Sequence, residues 1–321
     1  MRILKSILSF ALRVCISLVL IYFLFRQVDT KSLYGILKST DIYLLGLAFL
    51  VFSGMFILCF ARWWMLLKTV AMQIPLARAI VSFSGGIFFN LFLPSTIGGD
   101  FIRSVDLSVY TKKPGEVLAT VFLDRLSGYV GLVIVVLVSI FFGHKLIQDN
   151  FIFVSIGIIS SVLIIILVVI FNQYIYSHLN RFLSRPGPGK LKDVIRILHE
   201  EVHAFRNKKR IIVLNLFTSL LIQGISPIVY YIVALSFGIK TNIIYFFIFL
   251  PIVSSVTMLP ISLGGLGVRD LLIIFLLGKI GISKDLAFAL SLVNFVFLVI
   301  YSSAGGLIYV LGVHNRRLQR N

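Results

Sequence analysis

The sequence predicts an all-α polytopic membrane protein of six full spans plus two re-entrant or broken-helix hairpins, and three observations predict it. Hydrophobic residues make up 59% of the chain and charged ones 13%, against about 25% charged in soluble domains. Six apolar stretches reach the roughly 20 residues that carry a helix across a bilayer core. Two further apolar runs end in matching motifs, LPSTIGGDFIR at 93–103 and LPISLGGLGVR at 259–269.

The first span covers about residues 6–25. It follows Arg2 and Lys5 as a signal peptide would, but its apolar part is longer than a typical signal core and lacks a small-x-small cleavage site, so it reads as a retained span. The second covers about 42–61. The apolar run 76–93 then stops at Pro94, and the piece after it, near 101–110, is too short to cross alone. Spans follow at 117–142, 151–171 and 211–237. The run 243–259 stops at Pro260, the short piece 268–280 follows, and a last span covers 286–311. Pro227 and Pro251 read as kinks, and Trp63, Trp64, Tyr230 and Tyr231 as interface-belt or packing residues.

Lys and Arg outnumber Asp and Glu by 30 to 12, a formal +18. In a chain this apolar the excess marks topology or meets anionic headgroups, and nucleic acid is not an expected partner. The basic segments are the N-terminus, 62–78, 172–210 and the tail with Arg316, Arg317 and Arg320. They are expected to face the cytoplasm together with both termini, which requires an even number of crossings. Each Leu-Pro run must then dip in and return to its own side, the first from the cytoplasm and the second from outside. The result is an inverted repeat within one transmembrane domain spanning 1–321, with halves of about 1–146 and 147–321. The motifs lie 166 residues apart (260 − 94), and the same offset carries the span 117–142 onto 283–308.

The loop 172–210 is strongly basic. After its Pro-Gly-Pro-Gly breaker, Val194, Ile195, Leu198, Val202 and Phe205 recur at helical spacing, which predicts an amphipathic interfacial helix. A plain positive-inside anchor is the preferred role, and headgroup binding is the other.

Pro removes a backbone donor and Gly-Gly loosens the chain, so each helix should break at its Leu-Pro and restart near the Arg. Broken backbone at membrane depth is tolerated only where protein or a watery cavity covers it. In the first motif Gly98 and Gly99 would let amides approach a phosphate, aided by the positive end of the restarting helix and the fork of Arg103. The alternative is tight helix packing, with Asp100 and Arg103 pairing at i, i+3. The second motif carries Gly264, Gly265, Gly267, Arg269 and Asp270, its charge pair adjacent in sequence. Asn90 could hold either a freed backbone carbonyl or a hydroxylated headgroup, and the backbone role is preferred. Asp124 and Arg125, inside the span 117–142, suit either a pathway role or a structural ion pair. Arg13, mid-way along the first span, could snorkel, pair with Asp124 or face the pathway.

Signals for catalysis are weak. Cys15 and Cys59 sit in apolar runs, so no disulfide or metal framework follows. His199 and His203 are four apart without a zinc-protease Glu, and no P-loop or Gly-x-Ser-x-Gly occurs. No cofactor is expected.

At Asn90, LPSTIGGDFIR, Asp124-Arg125 and LPISLGGLGVRD the chain resembles the lysylphosphatidylglycerol synthase transmembrane-region family, the flippase-like domain also found at the N-terminus of the multiple peptide resistance factor. The likeness covers essentially the whole chain. It nominates Asn90, Pro94, Gly98, Gly99, Asp100, Arg103, Arg125, Gly264, Gly265, Gly267, Arg269 and Asp270; the family commonly has Glu where Asp124 and Asp270 stand. The resistance factor's cytosolic synthase domain has no counterpart before Asn321, so synthase activity is not carried over. The resemblance implies a plasma-membrane lipid translocase acting on an anionic or phosphate-bearing lipid, either a phospholipid or a polyprenyl-phosphate carrier. A membrane-embedded transferase with Asp100 or Asp124 as base, and a non-transporting scaffold for a lipid-modifying enzyme, are the alternatives.

Overall fold

The computed structural model describes residues 30–70, 73–93, 97–146, 150–171, 208–257 and 265–318. Within them the chain forms ten α-helices and a short 3-10 turn, with no strand. The helices are α1 (Thr30–Lys38), α2 (Ile42–Thr69), α3 (Leu76–Asn90), α4 (Ile97–Thr111), α5 (Pro114–Gly143), α6 (Asn150–Phe171), α7 (Lys209–Ser236), α8 (Ile244–Thr257), α9 (Val268–Gly278) and α10 (Lys284–Leu318). Four of them, α2, α5, α7 and α10, are long and apolar enough to cross a membrane. The predicted first span, the amphipathic segment of 172–207, Arg13, Pro94, Pro260 and Gly264 lie outside the described residues.

The predicted breaks are where they were expected. The helix arriving at the first motif ends at Asn90 and the next starts at Ile97, just past Pro94. The helix arriving at the second ends at Thr257 and the next starts at Val268. Pro227 and Pro251 lie inside α7 and α8. One reading is corrected: 62–78 does not begin as a basic loop, because α2 continues eight residues past 61 to Thr69. The sequence WWMLLK keeps that helix apolar, and Arg62 and Trp63 are buried within it.

The chain divides into two compact units. The first is formed by 1–57, 75–103 and 224–321, the second by 58–74 and 104–223. In the first unit α10 is the spine, packing against α1, α3 and α9, while α8 packs on α9. Close approach along the α3–α10 seam depends on missing side chains. A Cβ on Gly85 would come within 2.3 Å of the Tyr309 ring, and one on Gly306 within 2.5 Å of Phe88. Lipid supplies little hydrophobic drive between helices, so such small-residue seams carry much of the association. Phe49, Phe52 and Phe56 of α2 add ring contacts to Phe297 and Tyr301 of α10. At the far end of α10, Phe288 and Ala289 form a small core with Ile36, Phe237, Leu271 and Ile274. In the second unit α5 packs on α6 through Leu126, Leu132, Val133 and Leu163.

Candidate functional site

The first unit holds both helix breaks. At the first, α4 restarts hard against α3: a Cβ on Gly99 would lie 1.9 Å from the carbonyl oxygen of Gly86, so the backbones touch there and only glycine fits. The Gly99 N–H, one of the donors a helix start leaves open, donates to Asn90 Oδ1 at 2.8 Å. Asn90 therefore serves the backbone, though it accepts from an N–H of the restarting helix where a freed carbonyl was expected, and Gly99 serves packing. One turn on, Arg103 pairs with Asp100 at 2.9 Å, both of them buried. The Arg103 guanidinium also lies 5.8 Å from the centre of the Phe83 ring, and Ser82 donates its hydroxyl to the Arg103 carbonyl.

The second break is built differently. Gly265 and Gly267 have φ of +78° and +80°, a region that side chains disfavour. This left-handed backbone turns the chain into α9, and Asp270 caps it by accepting the Gly267 N–H at 3.0 Å. The same carboxylate takes Arg269 Nη2 at 2.9 Å and the hydroxyl of Ser291 on α10. Arg269 also reaches Ser291 Oγ at 3.3 Å and lies 5.2 Å from the centre of the Phe295 ring. Each motif thus ends in an Arg–Asp pair with the aspartate buried and the arginine over a phenylalanine. The pairing is i, i+3 in one and adjacent in the other.

The helices that flank the breaks, α3 and α9, both pack on α10. Along the α3 seam Val81 meets Gly312, Gly85 meets Tyr309 and Phe88 meets Gly306, so α3 runs down α10 and ends beyond Gly306. From the other side α9 starts where Arg269 meets Phe295 and runs away toward Phe288. Gly305 is ten residues on from Phe295, about 15 Å of helix.

The second unit holds Asp124 and Arg125. Asp124 is buried and accepts Arg62 Nε at 2.7 Å; Arg125 is half-buried. Arg62 Nη1 donates to Ser219 Oγ at 3.1 Å, and Asn215 Nδ2 donates to the Arg62 carbonyl at 3.0 Å. Gln223 Nε2 donates to the Gly128 carbonyl at 3.0 Å. Trp63, fully buried, donates its indole N–H to Thr120 Oγ1 at 3.3 Å, which makes it a packing residue. This network ties α2, α5 and α7 through side chains that already satisfy one another. Sequence reading counted Arg62 as a topology marker and missed it here. The available signal was Asn215, Ser219 and Gln223, polar residues every fourth position of an apolar span, which put one hydrogen-bonding stripe on a membrane helix.

A UPF0104 membrane protein of Methanothermobacter thermautotrophicus is 24% identical over 300 residues, covering 85% of this chain and 84% of its own. A UPF0104 membrane protein of Pyrococcus horikoshii is 22% identical over 330 residues, covering 96% and 97%. No solved structure matches the chain. The profile of the lysylphosphatidylglycerol synthase TM region matches residues 10–306. With that match spanning nearly its whole length, the chain is a membrane protein that belongs to the lysylphosphatidylglycerol synthase transmembrane-region family.

Proposed function

We propose that this protein is a plasma-membrane lipid translocase of flippase type, which moves a phosphate-bearing lipid, a phospholipid or a polyprenyl-phosphate carrier, between leaflets. Two broken-helix hairpins within an inverted repeat of six spans, entering from opposite faces with both termini cytoplasmic, supply the polar route. The acyl chains stay in lipid. The observation that carries the reading is the pair of breaks flanked by α10, each ending in an arginine already held by a buried aspartate. A buried pair of this kind is costly to assemble, and in a membrane it marks function by default. It is also a site ready for exchange: a headgroup phosphate can replace the carboxylate on Arg103 or Arg269. With no nucleotide-binding motif in the sequence, movement runs downhill or on a gradient.

The test is leaflet exchange in liposomes. Purified protein is reconstituted with acyl-labelled phospholipids, and exchange is read as the fraction of label accessible to a membrane-impermeant quencher. The paired variants Asp100→Asn/Arg103→Gln and Asp270→Asn/Arg269→Gln remove each charge pair as a unit, which avoids a stranded charge. Wild-type exchange that falls at least tenfold in both monodisperse variants supports the reading. Full exchange in both, or none in the wild type with any phosphate-bearing lipid, ends it.

A further inference from the structure

The stretch of α10 between its contacts with α9 and α3 carries polar atoms that the described residues leave unsatisfied. Asn294 is 5% exposed, and its Nδ2 donates to the Leu290 carbonyl at 2.9 Å, yet its Oδ1 has no hydrogen-bond partner among the described residues. Ser302, fully buried, has no partner there for its hydroxyl. A buried acceptor left open costs about the full desolvation of the group, so natural proteins seldom keep one without a use.

Their placement argues for a shared use. At about 100° per residue, Ser291, Asn294, Ser302, Gly305 and Tyr309 fall within one sector of about 80° on α10. That sector is the face that bonds Asp270 through Ser291 and packs on α3 through Gly305 and Tyr309. Asn294 sits one turn from Ser291, which in a helix makes them neighbours. An open acceptor therefore stands beside the Arg269–Asp270 pair, on the face that meets α9 and α3.

We propose that Asn294 is a specificity-determining residue whose Oδ1 accepts a hydrogen bond from an N–H or O–H of the lipid headgroup while Arg269 holds the phosphate, with Ser302 offering the next polar contact along the same face. This rests on the translocase reading and adds the substrate class: a headgroup that bears a hydrogen-bond donor as well as a phosphate. A carboxamide oxygen can only accept, so a headgroup without donors leaves it as unsatisfied as it is in the empty protein. Asn294 is enclosed, so α10 must part from its neighbours for the headgroup to arrive. The polar face then gains a partner as the helices separate.

The experiment compares three acyl-labelled lipids in the same liposomes: phosphatidylethanolamine, whose ammonium donates; phosphatidylglycerol, whose hydroxyls donate; and phosphatidylcholine, which has no donor. The expected result is exchange of the first two about tenfold faster than the third, the size of one buried hydrogen bond. Asn294→Leu, of similar volume and without the acceptor, should bring that ratio to within about twofold of one. Asn294→Asp keeps an acceptor and should keep the preference, which also guards against a leucine variant that simply misfolds. Equal wild-type rates for all three lipids, or an unchanged ratio in Asn294→Leu, would overturn the inference and leave the translocase reading standing. Exchange of none of them would overturn the inference and leave the translocase reading only its polyprenyl-phosphate carrier. If ethanolamine and glycerol differ strongly, with Asn294→Leu affecting only one, the donor is identified as ammonium or hydroxyl.

Discussion

At the first restart Asn90 reaches from α3 to cap Gly99 of α4, a bond between two helices. At the second, Asp270 caps Gly267 from within the first turn of its own helix, and the same carboxylate holds Arg269 and Ser291. One break divides its tasks: a neutral amide for the backbone, a separate aspartate for the arginine. The other loads backbone, cation and neighbouring helix onto a single carboxylate. Matching motifs therefore do not carry matching liabilities. The place to look for the difference is the cost of removing each cap.

The largest effect should come from Asp270→Ala, which strands the Arg269 cation and opens the Gly267 amide at once. A buried pair broken from one side costs about 3–5 kcal/mol, so this variant should lose most of its folded fraction, read as the drop in apparent Tm by size-exclusion thermal melting in detergent. Next comes Gly99→Ala. Its new Cβ would overlap the Gly86 carbonyl, with backbone on both sides, so α3 and α4 must separate. Overpacking of this sort costs about 1–3 kcal/mol, and the melt should fall less than for Asp270→Ala. The smallest effect belongs to Asn90→Ala, a lost cap worth about 1 kcal/mol, and Asn90→Asp should recover most of it. Equal losses in Asp270→Ala and Asn90→Ala would erase the distinction drawn between the two breaks.

Much of this was legible from residue order. Pro, Gly-Gly and Arg at a fixed offset announced two interrupted helices, because proline and glycine act through local backbone rules that need no tertiary context. The i, i+3 pair of Asp100 and Arg103 follows from helix geometry alone, and Asn90's backbone role from its place just before the break. What stayed hidden depends on partners far apart in the chain. Arg62 finds Asp124 across 62 residues, and its place next to a basic stretch made it look like a loop marker. The choice of binding or packing at Gly99 turned on how near Gly86 lies, a distance that no spacing encodes. The open acceptor on Asn294 was invisible for the same reason: a missing partner shows only when every neighbour is in place.

Helix α10 has 35 residues, about 52 Å at the usual rise, against a hydrocarbon core of about 30 Å. Fitting it inside by leaning alone would take a tilt of about 55°, well outside the usual range up to about 40°. At least one end must stand clear of the acyl chains, in headgroups or water. A continuous rod then joins that overhang to the residues between its contacts with α9 and α3, so whatever restrains the overhang also fixes the height at which Asn294 and Ser302 sit in the bilayer.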